Sequence, residues 1–150
     1  MSKTSELLLR ETILALGLAG CAALASPAFA AGSESGPLSL SKECSEFTAH
    51  SGDHCTITES SLEAIPVGSK VYYYGPVIGP AILSTTVVLV AGEGTTAIGY
   101  CNVELAKSAG VCTFWAGSGK LTGFQALVNL TVDGAGLFHW DGTFTIASSM

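Results

Sequence analysis

Apolar and polar residues alternate with a period of two through most of the second half of the chain, the spacing at which side chains leave the two faces of a β-strand. Phe124, Ala126, Val128, Leu130 and Val132 share one face, against Gln125, Asn129, Thr131 and Asp133. Phe138, Trp140, Phe144 and Ile146 share another, against His139, Asp141, Thr143 and Thr145. Further upstream, Ala97, Gly99, Cys101, Val103 and Leu105 alternate with Tyr100, Asn102 and Glu104. The stretches Lys70 to Tyr74 and Ile82 to Ala91 are rich in β-branched and aromatic residues and end at Gly75-Pro76 and Gly92-Glu93-Gly94. The pattern predicts strands at Lys70 to Tyr74, Ile82 to Ala91, Thr95 to Leu105, Val111 to Ala116, Leu121 to Val132 and Gly136 to Ile146. One or two shorter ones are expected around Ser45 to Thr48 and Cys55 to Thr58. Ser60 to Ile65 reads as one helical turn, stopped by Pro66. One apolar face per strand, with glycine turns at regular intervals, predicts an all-β fold: an antiparallel β-barrel of about eight strands, with a β-sandwich as the alternative.

Residues 1–30 read as a cleaved secretory signal peptide. Lys3 and Arg10 precede an apolar run from Thr12 to Ala25, too short to span a bilayer comfortably, and Ser26-Pro27-Ala28-Phe29-Ala30 has the small-x-small form of a cleavage site. Leu18-Ala19-Gly20-Cys21 supports a rival reading, a lipoprotein anchored through Cys21. Both place the protein outside the cytosol, periplasmic or extracellular. Residues 31–43 are small and polar with one proline and read as a flexible lead-in. Residues 44–150 then form a single domain.

Charge narrows the function classes. From Ala31 onward there are four lysines (Lys42, Lys70, Lys107 and Lys120), no arginine and ten carboxylates. Nucleic-acid binders need a phosphate-facing patch of Lys and Arg, which these residues cannot build. The same shortage disfavours an anionic membrane surface, and no integral membrane span is read in the chain.

An oxidising compartment makes Cys44, Cys55, Cys101 and Cys112 a disulfide set. Four cysteines allow three connectivities. If the strands around Cys101 and Cys112 form a hairpin turning at Ala106-Lys107, the two cysteines fall opposite each other, within disulfide range. Spacing therefore favours Cys101–Cys112 and, by the same interval, Cys44–Cys55.

The chemical candidates are few. His139 and Asp141 point to the same side of a strand, as a carboxylate-oriented base would require, but no motif supplies a nucleophile, so a wetter strand face is the simpler account. His50, Asp53, His54 and Cys55 (HSGDHC) resemble a metal cluster only superficially, because Cys55 belongs to the disulfide set; no metal is expected. Gly117-Ser118-Gly119-Lys120 lacks the first glycine and the following helix of a phosphate loop and reads as a hairpin turn. The candidates for lining a ligand pocket are Tyr72, Tyr74, Tyr100, Glu104, Trp115 and Trp140, aromatic groups with a polar handle and one carboxylate. Glu104 becomes a buried, perturbed acid if its face turns inward.

Thr95-Thr96-Ala97-Ile98-Gly99-Tyr100, the turn and strand Gly117-Ser118-Gly119-Lys120-Leu121-Thr122-Gly123-Phe124, and the closing Trp140-Asp141-Gly142-Thr143-Phe144 together resemble the allene oxide cyclase–dirigent barrel superfamily over roughly the last half of the chain. The resemblance implies an eight-stranded antiparallel barrel with an apolar small molecule inside, whose cyclisation or coupling is guided without a cofactor, and a homo-oligomeric assembly. No catalytic residue of that family has a legible counterpart here. Two expectations follow: an exported barrel that binds an apolar guest, or a non-catalytic envelope or extracellular protein that works through its surface. A cavity of a few hundred cubic ångströms would favour the first, and a barrel filled by its own side chains the second.

Overall fold

The alternation is realised as one sheet curled into a ring. The computed structural model describes residues 32–75, 77–78 and 82–147. In chain order the strands are β1 (Ser33–Glu43), β2 (His54–Ser60), β3 (Lys70–Tyr74), β4 (Val77–Ile78), β5 (Ile82–Gly92), β6 (Thr95–Glu104), β7 (Ala109–Gly117), β8 (Gln125–Val132) and β9 (Phe138–Ala147). Every neighbouring pair is antiparallel, in the order β3-β2-β1-β9-β8-β7-β6-β5, and pairing of β3 with β5 closes the ring at eight strands. The two residues of β4 pair with β5 beyond the end of β3. Closure leaves no free edge among these eight strands to recruit another chain.

Inward positions fill the barrel. Leu38, Leu40, Ile57, Val71, Val87, Leu89, Val128 and Trp140 are all at most 2% exposed, so the centre is packed core. Phe114 meets both Phe124 and Trp140 edge to face, with ring centroids 5.8 and 5.4 Å apart. Gly142 is required by close approach, because a Cβ there would strike the Leu127 carbonyl and the Val128 backbone of β8.

Both disulfides form as spacing favoured. Cys101 and Cys112 are directly opposed on β6 and β7, with Cα atoms 4.1 Å apart, and Cys44 joins Cys55. The turn between β6 and β7 is a 3-10 turn at Leu105–Lys107.

Four segments differ from the reading of the chain alone, the first being Ser45 to Thr48, which forms a turn rather than a short strand. Residues 33–43 are not a lead-in but a full strand of the ring, pairing with β9 from Ser33↔Ala147 to Lys42↔Phe138 and with β2 from Leu40↔Ser60. Serines disguise the strand, yet Leu38, Leu40 and Lys42 keep period two; Pro37 lies before the stretch paired with β2, where one side of β1 is open. Residues 121–124 do not extend β8. Leu121 and Phe124 turn into the end of the barrel behind a 3-10 turn, with Gly119 and Gly123 at positive φ. Ser60 ends β2, and residues 61–65 form hydrogen-bonded turns rather than a helical turn, with Leu62 and Ile65 buried. The leader, the Cys21 alternative and the last three residues lie outside the described residues.

Candidate functional site

Among the described residues, the barrel interior holds one ionisable amine. Lys42 follows Leu40 on the inward face of β1 and is 0% exposed. Its Nζ lies 3.6 Å from the centroid of the Trp140 ring and 2.5 Å from the Tyr73 hydroxyl, and no carboxylate among the described residues pairs with it. Burial pushes the amine well below its ordinary value of 10.5 and pushes the Tyr73 phenol above its ordinary 10.0. The ring face favours the cation by about 2 kcal/mol, whereas the cost of burying an unpaired charge is several kcal/mol; desolvation therefore wins, and the amine is held toward its neutral form. The Trp140 indole N–H and the Thr58 hydroxyl are buried without partners among the described residues. Beside this group, at the end tied by Cys44–Cys55, an apolar cavity of about 60 Å³ is lined by Phe47, Tyr73, Leu83, Val103, Leu130 and Phe138, among others. That space is well short of the few hundred cubic ångströms a guest of drug size needs.

A second polar group lies outside the wall. His139 Nε2 is 2.8 Å from Asp133 Oδ2, His139 Nδ1 is 3.0 Å from Ser41 Oγ, and Ser41 Oγ is 2.9 Å from Glu59 Oε2. Serine, histidine and aspartate in series have the order of a nucleophile, its base and an orienting group. However, Ser41 is only 4% exposed and its hydroxyl proton has a carboxylate, Glu59, as acceptor, so the oxygen is not presented to a substrate. Asp133 is held below the usual carboxylate range, first by His139 and then by the backbone N–H of Leu137. The four residues tie the β8–β9 turn to β1 and β2. Asp141, on the same side of its strand as His139, accepts a hydrogen bond from Ser39 at 2.6 Å.

At the opposite end of the barrel from the Cys44–Cys55 loop, an open cleft of about 770 Å³ is lined by residues that include Glu34, Pro37, Leu62, Glu63, Lys120 and Phe144. A neighbouring space of about 460 Å³ shares Glu63, Ala64 and Lys120 with it.

Of the residues expected to line a pocket, Trp140 alone lies inside, as part of the packed core. Tyr72, Tyr74, Tyr100, Glu104 and Trp115 occupy outward positions of the wall. Their strands alternate as read, but closure turns that face to solvent: Tyr74, Tyr100 and Trp115 are 47%, 44% and 53% exposed. Glu104, too, is exposed and pairs with Lys107 at 2.7 Å. In the HSGDHC segment, the Asp53 carboxylate accepts from the backbone N–H groups of Thr48 and His50, and these bonds hold its pKa down; His54 lies 3.0 Å from Lys70. Lys42 escaped sequence reading because a lysine in a serine-rich segment looks solvated; its period-two spacing from Leu38 and Leu40 was the available signal.

The exterior has two unlike sides. Along β9, β1 and β2, Asp141, Ser39, Glu43 and Glu59 form a polar, acidic surface. On the outward positions of β5 to β8 the one acid or amine is Glu104, at the margin, whereas Ile98, Tyr100, Val111, Trp115 and Leu127 stand 40–57% exposed.

Fold and surface thus define a small, disulfide-tied, closed antiparallel β-barrel. Comparison with protein-family models, curated proteins and solved structures found no match to this chain. No helix of the described residues is long and apolar enough to cross a membrane.

Proposed function

We propose that this is an exported, non-catalytic barrel protein that works by binding through its outer surface. The observation that carries this reading is the filled interior: the apolar cavity beside Tyr73 is about 60 Å³, while large apolar side chains stand on the outside of β6, β7 and β8. Two disulfides in so small a domain suit an oxidising compartment, in keeping with cleavage of the leader after Ala30. The test is native mass spectrometry of the protein recovered from its producing cells, with N-terminal analysis. The expected species starts at Ala31, carries two disulfides and has no guest. A stoichiometric small molecule retained in the barrel would overturn the surface reading, and a lipidated Cys21 at the N-terminus would replace release with anchoring.

A second reading keeps the small-molecule guest and, with it, the likeness to the allene oxide cyclase–dirigent superfamily. It is favoured by the 770 Å³ cleft, which falls in the size range of ligand sites and combines Pro37, Leu62, Phe144 and Ile146 with the amine of Lys120. On this reading the guest sits at the barrel mouth, needs no cofactor, and is lost from Lys120→Glu in the same mass measurement.

A further inference from the structure

Two copies of this chain, we infer, associate through the outward face of β5 to β8, centred on Tyr100, Trp115 and Leu127. This rests on the surface reading above and names the partner. The cross-strand register makes the face continuous: Thr86, Tyr100, Thr113 and Leu127 are successive partners across β5, β6, β7 and β8. Ile98 pairs with Ala116 in the next row, and the register shift there leaves Trp115 as the extra residue of β7. Val111 and Asn129 form a further row. The exposed groups are aromatic and aliphatic, with threonine and asparagine between them, and charge is confined to the margin, the composition of an interface centre.

Charge selects a like partner. The chain carries a formal net charge of −6, and Glu43, Glu59, Asp133 and Asp141 lie on or beside the β9–β1–β2 side. Two copies meeting through β5 to β8 bring neutral surfaces together and keep these carboxylates apart; approach through the other side would oppose them. The interspersed Ile98, Val111 and Leu127 side chains suit a protein surface better than a polysaccharide, which would use the aromatic rings and the amides but not the branched aliphatics.

Area sets the strength. Four strands about 4.8 Å apart, each with about eight residues rising about 3.3 Å, present about 500 Å² of wall per copy. Because the wall is convex, a pair covers at most about 1,000 Å², the lower bound for a specific interface, so association is expected to be weak and reversible.

Sedimentation of the full exported chain across a concentration series, with tryptophan quenching on the same samples, tests this. Trp140 is fully buried and Trp115 is 53% exposed, so acrylamide quenching reports Trp115. The expected result is a weight-average mass that rises toward twice the monomer, with Trp115 quenching falling in step. Leu127→Lys should weaken association at least tenfold without changing the thermal midpoint, and Ser35→Lys, on the polar side, should leave it unchanged. A chain that stays monomeric at several hundred micromolar, or a dimer indifferent to Leu127→Lys, overturns the proposal. A monomer retained on an insoluble polysaccharide through Trp115 overturns it too, yet leaves the surface reading standing; a small molecule found inside the barrel removes both.

Discussion

The amine of Lys42 lies 3.6 Å over the ring of Trp140 inside the barrel, with the Tyr73 hydroxyl as its hydrogen-bond partner among the described residues. A buried amine without a carboxylate sets a pH dependence whose sign follows from its lowered pKa. Between the folded value and 10.5 the unfolded chain binds one more proton than the native one, so stability rises with pH through that window, by up to about 1.4 kcal/mol per pH unit. Below the folded value the penalty is fully present. Above pH 10 the raised pKa of Tyr73 acts in the opposite sense, because the unfolded phenol ionises first. Urea titrations from pH 5 to 11 should therefore show stability climbing on the alkaline side of neutrality and then falling.

Replacing both partners should remove that climb. Lys42→Met with Tyr73→Phe eliminates the buried amine and avoids leaving the phenol unsatisfied, an omission that alone costs about 1–3 kcal/mol. The double variant is expected to be at least as stable as the parent at pH 7, with a flattened profile between pH 7 and 10. A double variant that unfolds several kcal/mol more easily would mean the amine stabilises the barrel.

Cys101 and Cys112 staple neighbouring strands across an interval of 11 residues. Converting both to alanine should cost about 3 kcal/mol in the chain-entropy model, read as a lower urea midpoint. Non-reducing peptide mapping of the parent should recover Cys101 with Cys112 and Cys44 with Cys55.

Gly142 has no room for a methyl group against the backbone of β8. Gly142→Ala should destabilise the barrel by about 1–3 kcal/mol, through displacement of the β8–β9 pairing. Hydrogen exchange should speed up first at Leu127 and Val128.

Asp133, with its carboxyl held down by His139 and by the Leu137 N–H, stabilises the β8–β9 turn above its unfolded pKa. That contribution is lost as pH falls through the lowered folded value. Asp133→Asn should thus weaken the protein at pH 7 and lose its effect at pH 2. The His139 imidazole resonances should shift, since Nε2 loses its carboxylate.

How much of the site was legible depended on parity and on closure. Cys101 opposite Cys112 followed from the alternation of two adjacent strands, a local property. Glu59 did not: strict alternation from Cys55 and Ile57 would aim it inward, but an extra residue in β2, Thr58, re-aims it toward Ser41. Tyr100 and Glu104 were correctly placed opposite Cys101 and Val103, yet which face pointed in could not be read from either set alone. The Asp133–His139–Ser41–Glu59 series joins residues 6 to 98 positions apart and has no short motif to reveal it.

By itself, then, the sequence determined that this is a β protein, where most strands run, which residues share a face, and that two neighbouring cysteine pairs suit bridges. These follow from a two-residue period and from turn glycines, both carried within a few residues. Only the tertiary structure decided that 33–43 is a strand of the ring, that Tyr74, Tyr100 and Trp115 face outward, and that Lys42 is enclosed with Tyr73 and Trp140. The physical reason is that inside and outside are properties of the closed sheet: a strand carries two faces, and only curling together with the other seven strands chooses which one meets water.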